Sequence, residues 1–161
     1  MRNILLWIEG TGLGHFMRES GPWTYAVVNV AHILGVATLF GSLLVLDLRL
    51  LGRWKRVGLA ELASAVTPVA TTGFVMAFLS GSAMLATKAT AYVDNPFLLI
   101  KFPAIALGLT NVGVLTLTPA WKARATREPS PAEHRQLAVL GGISLLCWLT
   151  AVTCGRMIAF W

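Results

Sequence analysis

Residues 23–48 read WTYAVVNVAHILGVATLFGSLLVLDL. No residue in this stretch carries a full charge until Asp47, one place from its end. A helix that crosses a hydrocarbon core about 30 Å thick needs about 20 such residues in a row. The same pattern returns in residues 62–86, 97–117 and 137–160, with Lys101 and Arg156 as the only charged residues inside them. Four spans of this kind predict an all-α fold, an integral membrane four-helix bundle forming a single membrane domain over residues 1–161.

Composition agrees. Of the 161 residues, 56% are hydrophobic and only 12% are charged. An ordinary soluble domain carries about twice that share of charge. The spans take up most of the chain, which leaves no room for a soluble catalytic domain. The net charge of +6 does not indicate nucleic acid, because the basic residues gather in two short loops. Cys147 and Cys154 are seven apart on one helix face, roughly 10 Å along the axis, too far for a disulfide.

The boundaries follow from local chemistry. Gly21-Pro22 opens the first span, since proline is tolerated in a first helical turn. Pro68 lies inside the second span and is expected to bend it. Asn95-Pro96 is a start signal for the third. Ser130-Pro131-Ala132-Glu133 is a capping box, so the fourth helix should begin a turn or more before its apolar part. Gly73, Ala77 and Gly81 form a ladder of small residues on the second span, the kind that lets helices approach closely.

Residues 3–19 are too short and too interrupted for a signal peptide: Glu9, Gly10, Gly12 and Gly14 break the apolar run. The recurrence of Leu5, Trp7, Ile8, Leu13, Phe16 and Met17 predicts an interfacial segment lying on the membrane. The glycines at 10, 12 and 14 do not make a nucleotide-binding loop, because no strand precedes them.

Arg49, Arg53, Lys55 and Arg56 follow the first span, and Lys122, Arg124, Arg127 and Arg135 follow the third. The positive-inside rule places these loops in the cytoplasm of a bacterial inner membrane and both termini in the periplasm. Trp23 and Trp161 then fall at the outer interface, Trp54 and Trp121 at the inner one.

Ionisable and amide side chains inside a bilayer are costly, which makes them the candidates for function. His32 leads. It lies roughly 13 Å below Trp23 and shares a helix face with Tyr25 and Asn29. A neutral imidazole can ligate haem iron or copper, or hydrogen-bond a quinone. The plainer alternative is a histidine bonded to a neighbouring helix, with Asn111 as its partner. Lys101 and Arg156 either snorkel to lipid headgroups or form an anion-binding rim above His32. No second histidine lies inside a span; His15 and His134 lie outside them, and Met76 matches His32 in depth as a second ligand. Asp47 and Arg49 are expected to anchor the end of the first span as a pair.

Trp23-Thr-Tyr25, His32-Ile-Leu-Gly35 and Leu46-Asp-Leu-Arg49-Leu-Leu-Gly52 resemble an uncharacterised family of small bacterial four-helix inner-membrane proteins. Asn95-Pro-Phe97, Lys101, Asn111, Gly155-Arg156 and Ile158-Ala159 fit the same pattern. More distantly, the helix count and first-span histidine are similar to the copper-resistance protein D and b-type cytochrome membrane families. The expectation is a redox-associated subunit. It would bind haem b or a quinone through His32, with Asn29 and Tyr25 in support and Lys101 and Arg156 clamping anionic groups. Electrons would pass to a periplasmic or membrane partner. A cofactor-free membrane anchor or assembly subunit is the alternative, and copper or small-solute uptake the third.

Overall fold

The computed structural model describes residues 2–161. It is all-α, with four helices long and apolar enough to cross a membrane. In chain order the helices are α1 (Arg2–Glu9), α2 (Gly12–Glu19), α3 (Gly21–Leu50), α4 (Leu59–Thr87), α5 (Pro96–Leu117), α6 (Pro119–Lys122) and α7 (Pro131–Met157). Single 3-10 turns follow α4 at Ala89–Tyr92 and α7 at Ile158–Phe160. The spans are α3, α4, α5 and α7.

The helix ends come from the expected chemistry. Pro96 opens α5. At α7, Ser130 Oγ accepts from the Glu133 amide at 3.4 Å, and the Glu133 carboxylate accepts from the Ser130 amide at 2.7 Å. Arg127 closes on the same carboxylate through two bonds of 2.7 and 2.8 Å. Helix α3 stops at Gly52, which takes φ +94°. The Gly52 amide donates to Arg49 and the Arg53 amide to Leu48, a Schellman ending that needs a left-handed residue.

The chain divides into two compact units, each taken here by itself. One comprises the chain up to Leu39 with Thr71–Pro96; the other comprises Phe40–Ala70 with Phe97–Trp161. In the first, α3 and α4 run antiparallel with their backbones touching. A Cβ at Gly35 would lie 2.6 Å from the Ala77 nitrogen, and one at Gly73 would lie 2.5 Å from the Leu39 nitrogen. Two rungs of the small-residue ladder, Gly73 and Ala77, thus form a backbone-on-backbone contact.

The N-terminal segment forms two helices, α1 and α2, strapped to the end of α4. Leu5 and Met17 are buried, whereas Ile4, Trp7 and Phe16 are exposed. That outward apolar face is what a segment in the membrane interface presents. The Arg18 guanidinium donates to the carbonyls of Ala86 and Thr87, which end α4 without helical partners. Glu9 accepts from the Thr90 amide at 2.8 Å and the Thr90 hydroxyl at 2.7 Å. These bonds hold its carboxyl below the usual carboxylate range.

In the second unit, Leu46, Leu50, Leu59, Ala63, Leu115, Ala120, Trp121, Leu137 and Leu140 make the core. Trp121 is 7% exposed and Trp54 55%. The interfacial place expected for Trp121 is therefore not what it takes. Thr118 caps α6, whose single turn folds the indole under the core, with Arg124 stacked 4.3 Å from its ring. Helices α5 and α7 are antiparallel: Phe97 meets Trp161, Lys101 meets Gly155, Gly108 meets Trp148 and Asn111 meets Leu140.

Candidate functional site

His32 is half-buried on α3 and faces α4. Its Nδ1 lies 3.0 Å from the Ala77 carbonyl oxygen and 3.1 Å from Ser80 Oγ. A carbonyl can only accept, so Nδ1 carries the proton. Ser80 commits its own hydrogen to the Met76 carbonyl and so also meets Nδ1 as an acceptor. In the neutral ring the lone pair then sits on Nε2. A histidine whose N–H is fixed by a backbone carbonyl has the tautomer and orientation that ligating or proton-accepting imidazoles use.

Gly81 completes the seat. A Cβ there would lie 2.9 Å from His32 Cε1 and 3.2 Å from Nδ1. The top rung of the ladder is therefore occupied by an imidazole, and not by a neighbouring backbone.

Asn29 and Tyr25 are half-buried on α3, one and two turns before His32. Among the described residues the Asn29 amide hydrogen-bonds nothing. Tyr25 lies near Tyr92 and makes no hydrogen bond to the imidazole. The partner expected for His32 on α5 is supplied by α4 instead. The Asn111 amide donates to the Leu140 carbonyl at 2.9 Å, tying α5 to α7.

Lys101 and Arg156 belong to the second unit. Lys101 lies against Gly155, with Nζ 3.2 Å and Cε 3.6 Å from where a Cβ would stand. Arg156 is exposed, its guanidinium carbon 4.7 Å from the centre of the Phe160 ring. Asp47 and Arg49 are both buried but do not pair with each other. Asp47 is hydrogen-bonded by Ser144 of α7, and Arg49 Nε donates to the Val57 carbonyl at 2.8 Å, closing the loop after α3.

The fit of haem between His32 and Met76 can be tested on this geometry. Met76 adjoins Ala77, where α3 and α4 touch through backbone. A porphyrin sandwiched between the two side chains would have to separate that contact, so a His32–Met76 haem does not fit. A ligand reaches Nε2 only from the side of the ring away from Ala77. Among the described residues, no three His, Cys, Asp or Glu side chains gather as a metal-binding group.

Sequence reasoning missed Ala77 and Ser80 as the partners of His32. Ser80 carried a readable signal, a hydroxyl in an apolar span, but a backbone carbonyl carries none. Comparison of the chain with protein-family models, curated proteins and solved structures finds no match. The fold defines its class: an all-α, multi-pass membrane protein with four candidate spans.

Proposed function

We propose that this protein is a redox-associated membrane subunit that binds a quinone or quinol at His32. The observation that carries the reading is the proton on Nδ1, held by the Ala77 carbonyl, which leaves the Nε2 lone pair to accept from a quinol hydroxyl. Asn29, one turn away, brings an amide without a partner in the chain, suited to a quinone carbonyl. On oxidation the quinol would release two protons, the first to Nε2, and two electrons to a one-electron carrier protein. The clustered basic loops support an inner-membrane orientation with both termini, and that carrier, on the periplasmic side. A reporter active only in the cytoplasm should be silent at the C-terminus.

The direct test is solvent extraction of the detergent-purified protein, with chromatography of the extract for quinones. Wild type should carry quinone and His32→Ala none, with both variants inserted. Equal quinone in the two, or none in either, would refute the reading.

A haem b held by His32 as its sole protein ligand is the second redox form. It is supported by the same Nδ1–H contact, which is that of a proximal histidine. A Soret band that sharpens on dithionite addition would select it.

The other class is a cofactor-free anchor or assembly subunit. It is supported by the internal partners that His32, Asn111 and Asp47 already have. On this reading His32→Ala costs only about 1 kcal/mol of helix association.

A further inference from the structure

The α5–α7 pair carries two cations whose neutralising group is not in the chain. Lys101 stands in the second turn of α5 and Arg156 near the end of α7. Lys101 runs along the notch left by Gly155, the residue before Arg156. Its Cδ, Cε and Nζ all come within 4.0 Å of that glycine's missing Cβ. Among the described residues the only ion pair is Arg127–Glu133, so no carboxylate answers either charge. Neither side chain makes a hydrogen bond among the described residues. Lys101 is half-buried in an otherwise apolar span. Two positive charges in or beside hydrocarbon require an anion or deep water.

The surroundings indicate which anion. Phe160 lies under Arg156, and Phe97 meets Trp161 edge-on at 6.1 Å on the same helix ends. Aromatic rings gathered at the ends of spans mark the headgroup level of a bilayer. Phe160 and Trp161 are both strongly exposed. An oxyanion held between two cations, with apolar rings and exposed span faces below it, matches a phosphodiester that carries acyl chains.

We propose that Lys101 and Arg156, with the Gly155 notch, form a binding site for the headgroup phosphate of an anionic phospholipid. The site does not depend on His32 or on the redox reading. Arg supplies a planar two-pronged donor for the phosphate, and Lys a point charge delivered through the notch.

The test is native mass spectrometry of the full chain released from detergent. Phosphatidylglycerol and phosphatidylcholine of matched acyl chains are added in turn, and inorganic phosphate serves as competitor. Wild type should retain phosphatidylglycerol with a preference of about tenfold or more, as two basic groups at a membrane surface provide. Arg156→Gln, at an exposed position, should reduce the preference, and Lys101→Gln with Arg156→Gln should remove it. Lys101→Arg should retain it. A preference unchanged in the double variant, or equal binding of the two lipids by wild type, would overturn the proposal. Displacement of the bound lipid by millimolar phosphate would also overturn it, because the site would then be one for a free oxyanion.

Discussion

The imidazole of His32 rests on the backbone of Gly81, so close that a methyl group there would stand 2.9 Å from Cε1. One residue on α4 is thus small because one ring on α3 needs its space. Neighbouring Ser80 and Ala77 then fix which ring nitrogen holds the proton.

Gly81→Ala should push the ring off its seat. Overpacking of this kind costs about 1–3 kcal/mol, which should appear as a lower thermal midpoint in detergent. Gly113→Ala is the control, since a Cβ at Gly113 meets nothing within 4 Å. Equal midpoints for the two variants would contradict the seat.

Gly73→Val should do more damage than Gly81→Ala. Its clash is with the Leu39 backbone, 2.5 Å from the first added carbon, and a backbone cannot turn aside as a side chain can. A loss above about 2 kcal/mol is expected, because α3 and α4 must separate. Cysteine crosslinking between the two helices would report the separation, and full crosslinking in the variant would rule it out.

Asn111→Ala should weaken the α5–α7 pairing by about 1 kcal/mol, the usual worth of an interhelical bond in a membrane. His32→Ala should lose a similar amount on α3–α4. The two bonds share no group, so the double variant should show the sum of the single losses. A marked departure from additivity would show that the two bonds are coupled.

The strap at the N-terminus should loosen in acid. Thr90 holds the Glu9 carboxyl below its ordinary pKa, so its folded value is the depressed one. The stabilisation is fully present above the unfolded value of about 4.3 and fades as pH falls through the folded value. Hydrogen exchange at the Thr90 amide, which donates to Glu9, should show it directly. In Glu9→Gln the acid-dependent exchange should vanish; its persistence would exclude Glu9 as the cause.

The spans were legible because a hydrocarbon core permits little besides long uncharged helices, and their ends because Ser130, Glu133 and Pro96 speak locally. The surroundings of His32 were not. Ala77 lies 45 residues away and contributes a carbonyl, which every residue has. Gly81 read as a rung for helix packing, when its actual neighbour is a ring. Glu9 read as an interruption of an apolar run, and it is one end of a long-range tie. The pairing expected of Asp47 with Arg49 rested on nearness in sequence; residues two apart on a helix point away from each other, so each found a partner elsewhere.

Glu9 and Thr90 are 81 residues apart in the chain, and Arg18 and Ala86 are 68 apart. The first helices to leave the ribosome therefore have nothing to grip until the second span has followed them. During synthesis the N-terminal pair must wait at the membrane surface as an unfastened end. It closes only when the turn after α4 emerges, so the clasp is a record that the first hairpin was inserted in the right sense.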